Sequence, residues 1–353
     1  MRGDLGPLDP PREDPATLFD LYRGSCATEL LVAASTHLRL FDKLRDGAKS
    51  PEALRGELGL SERAAVVLFT ALRAMGMLRA DSRGRLEPTA IAREHLVPGG
   101  EFSLAGYLGL SADSPGVAAM AERLRTNRPS GVPETEKAAY MFREGMESAM
   151  DEEESARSLT LALAGRARCV APTFAERATL DGVHTLLDVG GGSGLYAIAC
   201  LRRHAGLRAI VWDRGEVLKV AAEMARRYGV EDRCELLAGD MFADPVPRAE
   251  AVLLSNVLHD WDVPECRTLV LRLAAALPEG GRLIIHDAYL NDALDGPLAI
   301  ALYSAALFSI TEGRAYSAAE YRGWLSEAGL VSGEIVPTMV HCGTLIGVKN
   351  DGD

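Results

Sequence analysis

Two apolar rhythms divide the chain. Up to about residue 180 the apolar positions recur every three or four residues, the spacing of helices that bury one face. Over residues 16–34 Leu18, Leu21, Tyr22, Leu30, Leu31 and Ala34 keep this spacing and predict a first helix. Ser50 before Pro51 is an N-cap followed by proline at the first helical position, and Ser61 caps a further helix ending near Gly76. Residues 76–80 and 85–89 then flank Asp81-Ser82-Arg83-Gly84 as a short hairpin. Helix, turn, helix, hairpin is the order of a winged helix. Helices are expected to continue from Glu101 to about Arg177, with Gly, Pro and Asn breaks over residues 127–133, and the acidic run 151–154 reads as a solvated helix face.

Beyond Gly182 the rhythm changes to short Val/Ile/Leu-rich runs separated by helical stretches. The predicted strands are residues 184–189, 208–213, 234–240, 250–256 and 282–287. Helical patterns at 195–204, 216–228 and 264–276 separate them, whereas 241–248 is too short for a helix and reads as loop and turn. Strands that are apolar throughout and joined by helices belong to a parallel sheet covered on both faces. Near the end, Ser317-Ala318-Ala319-Glu320 is a capping box opening a helix to about Gly329. Residues 334–340 and 344–349 read as an antiparallel hairpin around His341-Cys342-Gly343.

Composition narrows the function. With 353 residues, 48% of them apolar, two domains are expected. A formal net charge of -12 is the wrong sign for a partner that is a phosphate polyanion or an anionic membrane. The helix after Ser61 reads Ala64-Ala65-Val66-Val67-Leu68-Phe69 and lacks the polar side chains that reach base edges, so the winged-helix order is read as a packing or dimerisation module and not as a nucleic-acid reader. Residues 1–15 are Pro-, Asp- and Arg-rich and are expected to form a disordered tail without signal-peptide character. The longest apolar stretch, 297–310, is too short to span a bilayer, and a cytoplasmic location is expected. The six cysteines are scattered, without zinc-ligand spacing, and read as reduced core residues; no metal is expected.

The candidate chemistry sits where predicted strands end. Leu186-Leu187-Asp188-Val189-Gly190-Gly191-Gly192-Ser193-Gly194 follows the first strand of the sheet and opens a helix, as a ligand-binding glycine turn does. Its glycines fall at 190, 192 and 194, whereas a dinucleotide fingerprint needs its third at 195, which is leucine. Asp188 would repel a pyrophosphate and suits the ammonium of a zwitterion. Asp213, at the end of the second strand, is placed to accept both hydroxyls of a ribose. Gly239-Asp240-Met241-Phe242 offers an acidic and apolar edge for an adenine. Together these describe a nucleoside site without a phosphate site.

With Asn256-Val257-Leu258-His259-Asp260-Trp261 after the fourth strand, the chain beyond its tail resembles the two-domain S-adenosylmethionine-dependent O-methyltransferases of the caffeic-acid and hydroxyindole type. The resemblance implies a Rossmann-like class I methyltransferase domain, mostly parallel with a C-terminal antiparallel hairpin, over residues 179–353. It is preceded by a winged-helix-like dimerisation domain over 16–100 and a helical linker over 101–178 that contributes to the substrate pocket. It further implies S-adenosylmethionine as cofactor, held by Asp188, Gly190, Gly192, Gly194, Asp213, Asp240, Met241, Ser255 and Trp261. His259 becomes the catalytic base and Asp287 the carboxylate that orients it, while His286 on the neighbouring strand position points to the other face. In plant members a second carboxylate follows the long apolar helix; the matching position here is Ala315. The expected protein is a homodimeric enzyme methylating a hydroxyl of a small aromatic or polyketide-like molecule, with residues 298–310 lining its pocket. C-methylation of an enol or electron-rich ring, and a cofactor-sensing winged-helix regulator, are the alternatives.

Overall fold

A computed structural model describes residues 8–128 and 153–350. The helical first part runs α1 (Ala16–Tyr22), α2 (Ser25–Val32), α3 (Leu40–Lys43), α4 (Pro51–Leu58) and α5 (Glu62–Ala74), then strands β1 (Leu78–Ala80) and β2 (Leu86–Pro88). It continues with α6 (Ala90–His95), α7 (Ala105–Gly109), α8 (Pro115–Thr126) and the long α9 (Glu153–Arg177). Strands and helices then alternate as β3 (Thr185–Val189), α10 (Leu195–Arg203), β4 (Arg208–Asp213), α11 (Gly215–Arg227), β5 (Cys234–Ala238), β6 (Ala251–Ser255), α12 (Val263–Ala276) and β7 (Arg282–Leu290). The chain closes with α13 (Leu298–Ile310), β8 (Tyr316–Ser317), α14 (Ala318–Glu327), β9 (Leu330–Ser332), β10 (Val336–Pro337) and β11 (Cys342–Lys349).

Two compact units divide these elements, and the division is not linear. One gathers the described residues of Leu18–Glu136 and Leu290–Ser317; the other gathers those of Met1–Thr17, Lys137–Tyr289 and Ala318–Asp353. The boundaries read from the sequence at 100 and 178 run straight along the chain, so they do not separate Leu290–Ser317 from the sheet that precedes it. The reason is visible in α13. Its Ile300, Ala301, Leu302, Ala305, Leu307 and Phe308 are buried, and they pack on α5 and α2.

In the helical unit the caps act as their residue types dictate. Ser50 accepts from Ala53 N–H and Ser61 from Ala64 N–H, each at 3.2 Å, which fixes the starts of α4 and α5. Nine of the thirteen residues of α5 are buried, so the second helix of the helix-turn-helix order has no face left for a nucleic-acid groove. Arg63 on that helix is itself buried: it donates to the carbonyls of Thr311, Gly313 and Asn127 and stacks over Phe308. The hairpin turn is held by Asp81, which accepts from the N–H groups of Arg83 and Arg85 at 2.8 and 2.9 Å. One expectation changes here. The single helix over 16–34 is α1 and α2, broken by a turn at Arg23-Gly24 where Arg23 is buried against the ring of Tyr303.

The other unit is a sheet in the order β10-β11-β7-β6-β3-β4-β5, with β9 beside β11. Strands β7, β6, β3, β4 and β5 run parallel, while β11 returns antiparallel to β7 over Cys342↔Ala288 to Val348↔Arg282. The predicted parallel core and C-terminal antiparallel hairpin are therefore present. The central strands are almost wholly buried, as expected from their apolar runs and the helices that cover both faces. The 241–248 stretch is turn, as its length requires. The final hairpin turns slightly earlier than predicted, because Val340 and His341 adopt positive φ and Cys342 already pairs with β7. Residues 8–15 carry no helix or strand, yet the tail is not wholly detached: Asp14 accepts from Val340 N–H at 3.2 Å. The predicted break over 127–133 falls mostly outside the described residues, as does the start of the 151–154 acidic run.

Candidate active site

Parallel strands deliver their carboxyl ends to one edge, and the loops there carry the predicted residues. The turn after β3 is built by its glycines. Gly190, Gly192 and Gly194 have φ of 62°, 59° and 71°, a left-handed backbone that side chains disfavour. A Cβ on Gly190 would also stand 3.0 Å from Val257 Cγ2, so this turn lies against the loop that carries His259. Asp213, at the end of β4, spans the same turn. Its Oδ2 accepts from Gly192 N–H at 2.8 Å and its Oδ1 from Arg214 N–H at 2.7 Å.

Asp188 is buried with Oδ2 lacking a hydrogen-bond partner. Burial pushes its carboxyl up to about 7, and the nearby Asp213 charge adds to the shift, although Ala197 N–H opposes it. A buried carboxylate with an unsatisfied oxygen next to a second carboxylate is a site that a cation stabilises. This fits the ammonium of S-adenosylmethionine, and Asp213 retains acceptor capacity for ribose hydroxyls. The residues predicted for an adenine edge lie in the loops after β5 and β6. Asp240 turns back on its own loop, accepting from Phe242 N–H at 2.7 Å, and the Phe242 and Trp261 rings meet edge to face at 5.0 Å. Met241 lies half-buried beside them in sequence.

His259 lies on a short 3-10 turn (Leu258–Asp260) after β6 and is buried. Its Nδ1 is 2.7 Å from Asp287 Oδ1, the shorter of two ion-pair distances around the ring. A neutral imidazole therefore donates Nδ1–H to Asp287 and keeps its lone pair on Nε2. Asp287 is fixed by two further donors that anchor its oxygens: Ala288 N–H at 2.8 Å and Tyr321 OH at 3.1 Å. Burial opposes a charge on His259, but the Asp287 and Asp260 charges and the Asp287 hydrogen bond outweigh it and raise its pKa above the ordinary value. Burial likewise disfavours the Asp287 carboxylate, yet His259, Ala288 N–H and Tyr321 OH hold its pKa below the usual range.

The residue types that sequence reasoning missed come from contacts between distant segments. Tyr321 is 34 positions from Asp287 in the chain and lies on α14, and its sequence neighbourhood carries no sign of this contact. Asp260 was legible as part of the motif but not as a neighbour of the His259 ring; its Oδ1 lies 3.7 Å from His259 Nε2. Burial lifts its carboxyl to about 6, with His259 pulling down and Asp287 pushing up. Ser255 sits in a polar network: its Oγ is 3.0 Å from His286 Nδ1, and Asn256 Nδ2 donates to it at 3.1 Å. His286 is buried with its Nε2 2.9 Å from Thr338 Oγ1, on the side of the strand away from His259 as alternation requires. Burial and the Arg166 charge take its pKa down to about 3, so it is neutral. Ala315 is buried and gives its N–H to Ser304 Oγ at 3.1 Å. Among the described residues no cluster of three or more His, Cys, Asp or Glu is placed to hold a metal ion, and no helix is long and apolar enough to cross a membrane.

The chain is similar to known O-methyltransferases. A 3-hydroxy-5-methyl-1-naphthoate 3-O-methyltransferase of Streptomyces sahachiroi is 36% identical over 91% of this chain and 90% of its own. Acetylserotonin O-methyltransferase of Bos taurus is 29% identical over 89% of this chain and 92% of its own. The crystal structure of an O-methyltransferase family 2 protein from Planctomyces limnophilus, in complex with apigenin, is 47% identical. It superposes with a TM-score of 0.88 over 97% of this chain and 98% of that one. Residues 130–331 match the O-methyltransferase domain family, and the chain belongs to that family and is an S-adenosylmethionine-dependent O-methyltransferase.

Proposed function

We propose that the enzyme methylates a phenolic hydroxyl of a small fused-ring aromatic or polyketide-like acceptor, with His259 as general base and Asp287 as the carboxylate that orients it. The observation that carries this reading is the 2.7 Å contact between His259 Nδ1 and Asp287. S-adenosylmethionine supplies a methyl group already activated on a sulfonium, so the remaining work is to position the acceptor and remove its proton. A phenol has a pKa of about 10, and a raised histidine narrows the gap that proton transfer must cross. Asp287 fixes the tautomer whose lone pair lies on Nε2 and stabilises the imidazolium once the proton arrives. Where plant relatives have a further carboxylate this chain has Ala315, and we assign the second stabilising charge to Asp260, which faces the accepting nitrogen. Asp188, Asp213 and the 190–194 turn hold the methionine and ribose parts of the cofactor, and Asp240, Met241, Ser255 and Trp261 its remaining contacts.

The acceptor class is supported by the naphthoate relative and by the apigenin bound to the Planctomyces protein, both hydroxylated ring systems. Incubating the enzyme with a library of hydroxynaphthoates, flavones and indoles and methyl-labelled cofactor, followed by mass spectrometry, is expected to give a labelled methoxy product from a fused-ring phenol. Label found only on carbon or nitrogen would replace this reading.

We propose further that the helical unit is a homodimerisation module with winged-helix order. It exposes Leu18, Leu21, Tyr22, Phe102, Leu104, Tyr107 and Leu110, more large apolar surface than a monomer ordinarily leaves in water. Light scattering is expected to give twice the chain mass for the wild type and a smaller mass for Leu21→Asp/Tyr107→Asp. A monomeric wild type would overturn the assignment.

A further inference from the structure

Side chains alternate along β7, so Asp287 and Tyr289 share one face while His286 turns to the other. Asp287 is buried, and its two oxygens are held from different elements. Oδ1 accepts from His259 Nδ1–H at 2.7 Å and from Ala288 N–H at 2.8 Å. Oδ2 accepts from Tyr321 OH at 3.1 Å. A carboxylate has only acceptor capacity, so the phenol of Tyr321 is the donor in this contact.

The surroundings of Tyr321 keep that hydroxyl in place. The residue lies on α14 and is fully buried. Its ring meets Tyr289 edge to face at 5.3 Å and Trp324, one helical turn further along α14, also at 5.3 Å. Tyr289 is itself tied to the strand, its OH donating to Ile285 O at 2.8 Å. Helix α14 packs on α12, the helix that follows the His259 turn, and Arg267 of α12 pairs with Glu327 of α14 at 2.9 Å. The phenol therefore has little freedom to leave Oδ2, and with Oδ1 already held the plane of the carboxylate is set.

Charge balance gives this donor a chemical consequence. The His259–Asp287 pair is neutral overall when the imidazole carries an extra proton and anionic when it does not, so the two groups titrate together. A hydrogen bond to Asp287 stabilises the anionic form more, because the imidazolium partly offsets the carboxylate in the other. Burial disfavours the Asp287 carboxylate, and Tyr321 OH joins His259 and Ala288 N–H in keeping it ionised. A proton that reaches Nε2 then stays on the imidazole instead of leaving Nδ1 for Asp287. Among the described residues, the other charged or titratable groups around the pair are Asp260, Arg166 of α9, and His286 and Tyr289 of β7. Cys342 of β11 and Arg322 of α14 act on Tyr289.

We propose that Tyr321 is a positioning residue for methyl transfer, its hydroxyl fixing the Asp287 carboxylate and through it the orientation and proton affinity of His259. This rests on His259 as the base and adds a third member, on α14, to the His259–Asp287 pair.

Rates on the acceptor that the library screen identifies, measured across about pH 5–9, test it. Tyr321→Phe removes only the hydroxyl and keeps both ring contacts. It is expected to lower kcat about 3- to 30-fold, part of what a hydrogen bond to a charged group contributes. The affinity for S-adenosylhomocysteine should not change, and the acid limb of kcat/KM should move to higher pH. Asp287→Asn moves that limb the opposite way, so the directions separate loss of the donor from loss of the charge. In the Asp287→Asn background, Tyr321→Phe is expected to cost less than about 2-fold, since the carboxylate it serves is gone. Site-specific 3-fluorotyrosine at position 321, a stronger donor of nearly the same size, should move the limb to lower pH and decides the matter if Tyr321→Phe does not fold. An unmoved limb, or the same loss in both backgrounds, would overturn the proposal, the signature of a hydroxyl that only braces α14. A wild-type rate for His259→Gln would overturn the base assignment and this inference together.

Discussion

Replacing His259 by glutamine is expected to lower kcat about 10²- to 10⁴-fold, the usual contribution of a general base, while S-adenosylmethionine binds with nearly unchanged affinity. Glutamine keeps a polar group at the site but cannot take a proton at neutral pH. The pH dependence follows from the same geometry. The base works only when neutral, so the rate rises with pH as the imidazolium loses its proton. The carboxylates of Asp287 and Asp260 outweigh burial and raise the folded pKa, which places the acid limb of kcat/KM above the ordinary histidine value of about 6.5. Asp287→Asn removes the nearer charge, so burial regains weight and the limb moves to lower pH, with a smaller fall in kcat than His259→Gln. Steady-state rates on an acceptor found in the library screen, measured across pH 5–9, check all three outcomes on the scale set for general bases. Wild-type rates for His259→Gln would remove the histidine from the mechanism and leave positioning of an already acidic acceptor as the source of catalysis.

Asp213→Ala is expected to abolish measurable cofactor binding. The side chain accepts from Gly192 N–H and Arg214 N–H and keeps capacity for ribose hydroxyls. Its loss removes the ribose acceptor and leaves two donors of the loop without their partner. Hydrogen bonds to a charged group contribute about 1.5–3 kcal/mol each, so two of them correspond to an affinity loss of at least about 10²-fold. The fold should survive, because Asp213 lies at a strand end and β4 remains paired with β3 and β5 on either side. Calorimetry with S-adenosylhomocysteine and a thermal melt separate the two effects. Undiminished affinity would show that the ribose is held elsewhere.

The family resemblance and the strand-end residues of the candidate site were legible before any coordinates because their signals are local. Gly190, Gly192 and Gly194 must be glycine for a left-handed turn, and Asp188 and Asp213 sit at the ends of apolar runs whose length marks parallel strands. His259 was readable from its motif after the fourth of these strands, and Asp287 from alignment of the fifth. The caps at Ser50 and Ser61 placed the starts of α4 and α5 to the residue, because capping is a matter of a few neighbouring atoms.

What the tertiary structure alone decided is who stands beside whom across the chain. Tyr321 reaches Asp287 from α14, Arg166 reaches Asn256 and Cys342 from α9, and Asp260 places a second carboxylate beside His259. The same holds for α13, whose continuous apolar run predicts burial on every side but not its partners; packing assigns it to α5 and α2. Periodicity, caps and glycine turns are set by interactions within a few residues, so the sequence by itself determines them. Long-range contacts depend on how whole faces pack, and burial is indifferent to sequence distance, so the polar partners of a buried histidine appear only once the chain has closed around it.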